Sequence, residues 1–71
     1  MFSVNLMNAD HTCRYSISFL NGAGWEVTRQ QDGQLTRRSR YHDWHRVERA
    51  RAVFALEVSE LTERGWTIVE G

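Results

Sequence analysis

The chain of 71 residues contains no lysine, no proline and only one cysteine, and each scarcity excludes something. Cys13 alone cannot close an internal bridge, so the disulfide framework that supports many domains of this size is ruled out. A lone thiol suits a reducing compartment, and a cytoplasmic location is expected. Without proline the chain has no pre-set turns, and glycine punctuates it instead at Gly22, Gly24, Gly33 and Gly65. Apolar residues nowhere approach the run of ~20 needed to cross a bilayer. The opening MFSVNLMNAD has no basic segment ahead of an apolar one, so no membrane partner and no secretory leader are expected. Linkers, repeats and low-complexity stretches are missing too. The expectation is a single small α+β domain over residues 1–71. A domain of this size buries only about 60% of its unfolded surface, and its one core supplies just ~3–5 kcal/mol of net stability.

The missing lysine matters most, because basic charge is plentiful. All nine basic residues are arginine, and seven of them fall between Arg29 and Arg51. Residues 28–51 set those seven against Asp32, Asp43 and Glu48, a balance of +4. Residues 52–71 carry Glu57, Glu60, Glu63 and Glu70 against Arg64, a balance of −3, and residues 1–27 close the sum at zero with −1. Arginine presents a planar fork of donors that matches carboxylates, phosphates and aromatic faces, which an ammonium group does not. An all-arginine patch on a small chain therefore points to recognition.

Period-2 alternation marks the strands. Phe2, Val4 and Leu6 alternate with Ser3 and Asn5, and Tyr15, Ile17 and Phe19 alternate with Ser16 and Ser18. Asn8 to Thr12 reads as a polar connection between them. Asn21-Gly22-Ala23-Gly24 is a turn, Trp25–Gln31 a third strand, and Asp32-Gly33 marks a second hairpin leading into a fourth. A three-residue loop, Gln31-Asp32-Gly33, would pair Glu26 with Arg38, Trp25 with Ser39 and Val27 with Arg37. It would also gather Trp25, Val27, Leu35 and Tyr41 on one face, and hydrophobic alignment normally decides register. The outer face would then hold Glu26, Thr28, Thr36, Arg38 and Arg40, with Arg14, Ser16 and Ser18 alongside.

A helix follows. Asp43 suits the N-cap and Gly65 the position just past the end. Val47, Ala50, Phe54, Val58 and Leu61 recur at helical spacing as an inward stripe. Trp66, Ile68 and Val69 form a short terminal strand or extended tail that returns to the sheet. The expected fold is α+β: an antiparallel four-stranded meander, one amphipathic helix packed on one face, and a short C-terminal strand, in the order β-β-β-β-α-β. Two features of the helix break local rules. Its arginines (Arg46, Arg49, Arg51) precede its glutamates, the reverse of what the macrodipole favours. Ala52 and Leu56, with Val53 at the margin, lie away from the core stripe and form a candidate helix-face interface.

Among candidate chemistries, Arg37-Arg38-Ser39-Arg40-Tyr41 is the leading one. Alternation puts Arg38 and Arg40 on one face and Arg37 with Tyr41 on the other. The partner-binding set expected from this is Arg38, Arg40, Arg37, Arg14 and Glu26. Such a set suits acidic protein surfaces, and it also suits phosphates and stacked bases; the plainer reading is a solvated strand that discourages edge-to-edge aggregation. His42-Asp43-Trp44-His45 has no zinc-ligand spacing and reads as a capped helix start, so no metal and no cofactor are expected. Cys13 beside His11 lacks the low-pKa setting and oxyanion site of a nucleophile, and no other catalytic constellation is present. Trp25, Trp44 and Trp66 read as core area. The sheet-then-helix order and the Glu63-Arg64-Gly65-Trp66 ending loosely resemble the WGR domain, a nucleic-acid-associated module. No Trp-Gly-Arg run is present, the nearest hairpin reading Gln30-Gln31-Asp32-Gly33, and no function is carried over.

The functional expectation is a non-enzymatic protein–protein interaction module. Its small size suggests a bacterial or phage regulator or inhibitor that docks on a larger protein or nucleoprotein complex. The alternatives are weak nucleic-acid binding through the same arginine face, and a small structural or homodimerisation module.

Overall fold

A computed structural model describes residues 2–69 and contains the expected α+β order, so Glu70, counted above with the C-terminal acids, lies outside the described residues. The strands are β1 (Phe2–Asn8), β2 (His11–Leu20), β3 (Gly24–Gln31), β4 (Gln34–Tyr41) and β5 (Thr67–Val69), with α1 (Trp44–Glu63) before the last. All pair antiparallel in one five-stranded sheet, ordered β4-β3-β2-β1-β5. The helix crosses one face and packs against β2, β3 and β4.

The alternating apolar residues meet between the two layers. Leu6, Cys13, Tyr15, Ile17 and Val27 come from the sheet, Val47 and Phe54 from the helix, and all are buried. The rings of Tyr15 and Phe54 lie 4.7 Å apart and tilted by 59°, a favourable aromatic geometry that ties helix to sheet. Ala50, Val58, Leu61, Trp25 and Trp66 close the cluster around them. Trp44 departs from the core role expected of it: it is 42% exposed and packs at the rim against Trp25, the rings 5.3 Å apart and tilted by 55°. Placed at the first helical position, it also donates its indole N–H to Glu48 at 2.9 Å.

Both helix ends are capped as their residues dictate. The Asp43 carboxylate accepts from the backbone N–H of His45 at 2.9 Å. At the other end Gly65 has φ 101°, its N–H donates to the Thr62 carbonyl, and the Trp66 N–H donates to Leu61 at 2.9 Å. That pair of bonds is a Schellman closure, and it turns Trp66 back onto the core. No helix among the described residues is long and apolar enough to cross a membrane.

The turns correct two expectations. Asn8 pairs with His11, so β1 and β2 join through the two-residue turn Ala9-Asp10 in place of the longer polar connection. The ladder needs only main-chain groups, which polar residues supply equally well. The β3–β4 hairpin closes through two residues, not three: Asp32 (φ 52°) and Gly33 (φ 81°) are both left-handed, as a type I′ turn requires, and Gln31 pairs with Gln34. A β-bulge then leaves Thr36 without a cross-strand partner and moves the register on by one. The Thr36 hydroxyl donates to the Arg29 carbonyl and accepts from the Arg29 guanidinium, each at 3.0 Å, which satisfies groups the bulge would leave open. Glu26 therefore faces Arg40, Val27 faces Ser39 and Trp25 faces Tyr41. A shift of two residues from the expected pairing preserves faces, so Arg38 and Arg40 remain outside. Leu35, on the turn side of the bulge, pairs with Gln30 and moves to the outer face, where it is 50% exposed.

Candidate partner-binding interface around strand β4

Because α1 covers one side of the sheet, the other side stays open, and apart from Leu35 it is polar along the middle of β2, β3 and β4. Arg38 and Arg40 project from it on β4, Glu26 and Thr28 on β3, Arg14, Ser16 and Ser18 on β2. Ser16 and Thr28 are cross-strand partners whose hydroxyls bond each other. Glu26 lies directly opposite Arg40 and diagonal to Arg38, and one of its oxygens accepts from both: from Arg38 Nε at 2.9 Å and from Arg40 Nε at 3.2 Å. Those two bonds hold the Glu26 carboxyl below the usual carboxylate range, the Arg38 bond contributing most. One carboxylate therefore answers two guanidinium groups, and a net positive charge with an ordered set of unused N–H donors is left facing outward.

The structure divides the expected site. Arg38, Arg40 and Glu26 form one cluster. Arg14 shares their face but sits on β2, across from Gln30 and Asn5, and makes no ion pair among the described residues. Arg37 is on the opposite face, where it grips Glu57 of α1 with two parallel bonds of 2.9 and 3.1 Å. This fork-to-fork pair raises the Arg37 pKa and fastens β4 to the helix. Arg29 points to the same inner side, bonding the Tyr15 hydroxyl at 3.2 Å with its guanidinium carbon 5.5 Å from the ring centre.

Two further arginines join β4 from the helix. A groove of about 400 Å³ runs between β4 and the N-terminal half of α1. Val27, Phe54, Ala50, Val53 and Tyr41 give it apolar walls, and Arg37, Arg46 and Arg49 stand around it. Among the described residues Arg46 and Arg49 make no ion pair. From the sequence these two are charges at the wrong end of a helix dipole, outside the partner-binding set and explicable only by an antiparallel pairing of α1 with a second copy. Their i, i+3 spacing, which places both on one helix flank, was the available signal. Val53 belongs to this groove, whereas Leu56, 68% exposed, and Ala52 face away from it into solvent.

The remaining candidates sit in a turn and in the core. Asp32 accepts from the Thr12 N–H at 2.9 Å and from His11 Nδ1 at 3.1 Å, which pins the β3–β4 turn to the start of β2 and lowers the Asp32 pKa. Cys13 lies buried in the core, 1% exposed, and its partner across β1 is Leu6. Among the described residues no three His, Cys, Asp or Glu side chains come together as metal ligands do. No protein-family model, curated protein or solved structure matches this chain.

Proposed function

We propose that this chain is a non-enzymatic protein-binding module that presents the arginines of β4 to an acidic surface of a larger protein or nucleoprotein complex, as a small regulator or inhibitor does. The observation that carries the reading is the shared carboxylate: Arg38 and Arg40 are oriented by Glu26 without being neutralised by it. Pre-ordered guanidinium forks lose less conformational freedom on binding and select planar carboxylates. The groove side of the same strand adds Arg46 and Arg49 beside apolar walls, a mixture that matches a protein surface better than a bare phosphate backbone. It also supplies a reason for arginines in the helix half where the macrodipole disfavours them.

The second reading, nucleic-acid binding, draws on Arg14, Arg38 and Arg40 sharing the open face with Ser16 and Thr28. The two separate by capture on the immobilised chain with and without nuclease. A protein retained equally in both arms is the expected result, whereas loss of every captured species on nuclease treatment refutes it. Phosphate-dominated binding would fall steeply with salt, with a log–log slope of about −0.9 per neutralised phosphate on duplex DNA. Tight, sequence-selective binding of an oligonucleotide at physiological salt would reverse the ranking.

A further inference from the structure

The same reading of β4 can be carried to the form of the partner. We infer that the free edge of β4 takes up an extended acidic segment of another protein as an added strand, with alternate apolar side chains of that segment seated in the groove between β4 and α1.

β4 is the outermost strand on its side of the sheet, and such a strand presents a row of main-chain N–H and C=O groups to any chain that can lie beside it. The bulge falls at the turn end, so Arg37–Tyr41 pairs regularly with β3 and offers an even edge. Those five residues span about 13 Å at ~3.3 Å per residue. A partner strand over that length points two side chains, ~6.6 Å apart, toward the groove side. There Val53, Ala50 and Tyr41 stand open to apolar groups above the buried Phe54, with Arg46 and Arg49 at the margin for a flanking carboxylate. Its alternate side chains point the other way, beside Arg38 and Arg40. The sequence this selects alternates acidic and apolar residues.

Charge also says what does not bind. Pairing β4 with β4 of a second copy would bring Arg37, Arg38 and Arg40 of one copy against the same arginines of the other, and like charges across a strand pair are destabilising. The edge rejects its own kind and accepts an acidic strand. Repulsion of all strands, with no ligand at all, is the competing account of the same arginines.

The test uses a fluorescent octapeptide of alternating glutamate and valine with blocked ends. Two copies of it are N-methylated on alternate residues, one in each register, so that charge is kept while one row of backbone donors is lost. The parent should bind saturably, and one of the two methylated forms should weaken by about tenfold or more, the effect of losing roughly two backbone hydrogen bonds. Arg46→Ala/Arg49→Ala should weaken the parent as well, and amides of Arg37–Tyr41 should gain protection from hydrogen exchange. Equal binding of all three peptides, or no added protection on β4, overturns strand addition. A captured acidic partner that still depends on Arg38 and Arg40 would in that event leave the proposed function standing. If neither peptide nor partner depends on the β4 arginines, both readings fall together.

Discussion

Truncating Phe54 to alanine tests the link between core and binding surface. Phe54 is 1% exposed, its ring sits 4.7 Å from Tyr15, and it lines the groove from the helix side. Removing a fully buried aromatic costs about 3–5 kcal/mol, because the transfer energy is lost and a cavity remains. A domain of this size has only ~3–5 kcal/mol in hand. The alanine variant should therefore be largely unfolded at room temperature. Phe54→Leu, which retains most of the apolar volume, should stay folded with a lowered melting temperature, at about 4–8 °C per kcal/mol. Leu56→Ala, only two residues along the same helix but 68% exposed, should change stability by no more than about 0.5 kcal/mol. Urea and thermal unfolding followed by far-UV circular dichroism and tryptophan fluorescence read all three variants. A Phe54→Ala midpoint within a few degrees of wild type would refute the packing of α1 on the sheet through this residue.

Three further outcomes follow from named contacts. Gly24 has φ 88° and a Cβ there would collide with the Tyr41 carbonyl oxygen, so Gly24→Ala should destabilise the β3–β4 pairing far more than Gly22→Ala, where a Cβ meets open space at φ 79°; equal melting temperatures for the two would contradict this. Glu26 has a folded pKa below its unfolded one, so its contribution is present above the ordinary carboxylate value of about 4.3 and is lost as pH falls through the folded value. Carboxylate NMR titration should show Glu26 of the wild type protonating below the ordinary carboxylate value, and in Arg38→Ala/Arg40→Ala its midpoint should rise toward it; an unmoved midpoint would show that the two bonds are absent in solution. Leu56→Glu separates the two candidate surfaces: partner binding should be fully retained and sedimentation unchanged, whereas loss of either would assign the outward helix face, with Ala52, as the interface.

Much of the fold was legible because local rules agree with one another. Alternation at Phe2–Leu6 and Tyr15–Phe19, the Asp43 cap, the Gly65 stop and the Val47–Leu61 stripe each specify an element, and together they give the layer order. The β3–β4 register was not legible, since the bulge depends on how the Thr36 hydroxyl and the Arg29 guanidinium satisfy each other across the ladder. Leu35 also misled: an apolar residue near a turn was counted toward the core, but the two-residue loop sends it outward. For the site, strand parity sufficed to put Arg38 and Arg40 together and Arg37 opposite. It could not show that Arg37 is held by Glu57, twenty residues on, or that Arg46 and Arg49 border β4. Both depend on the rotation of α1 about its own axis over the sheet, which packing of Phe54 and Val47 determines.

The most direct test of the central claim is the affinity of a captured partner for Arg38→Ala/Arg40→Ala, measured by calorimetry beside the wild type with circular dichroism on both. Arg38→Ala/Arg40→Ala should lose about a hundredfold or more in affinity, as expected for two charge-assisted hydrogen bonds of ~1.5–3 kcal/mol each, with an unchanged spectrum. Wild-type affinity in a double variant that is fully folded would contradict it.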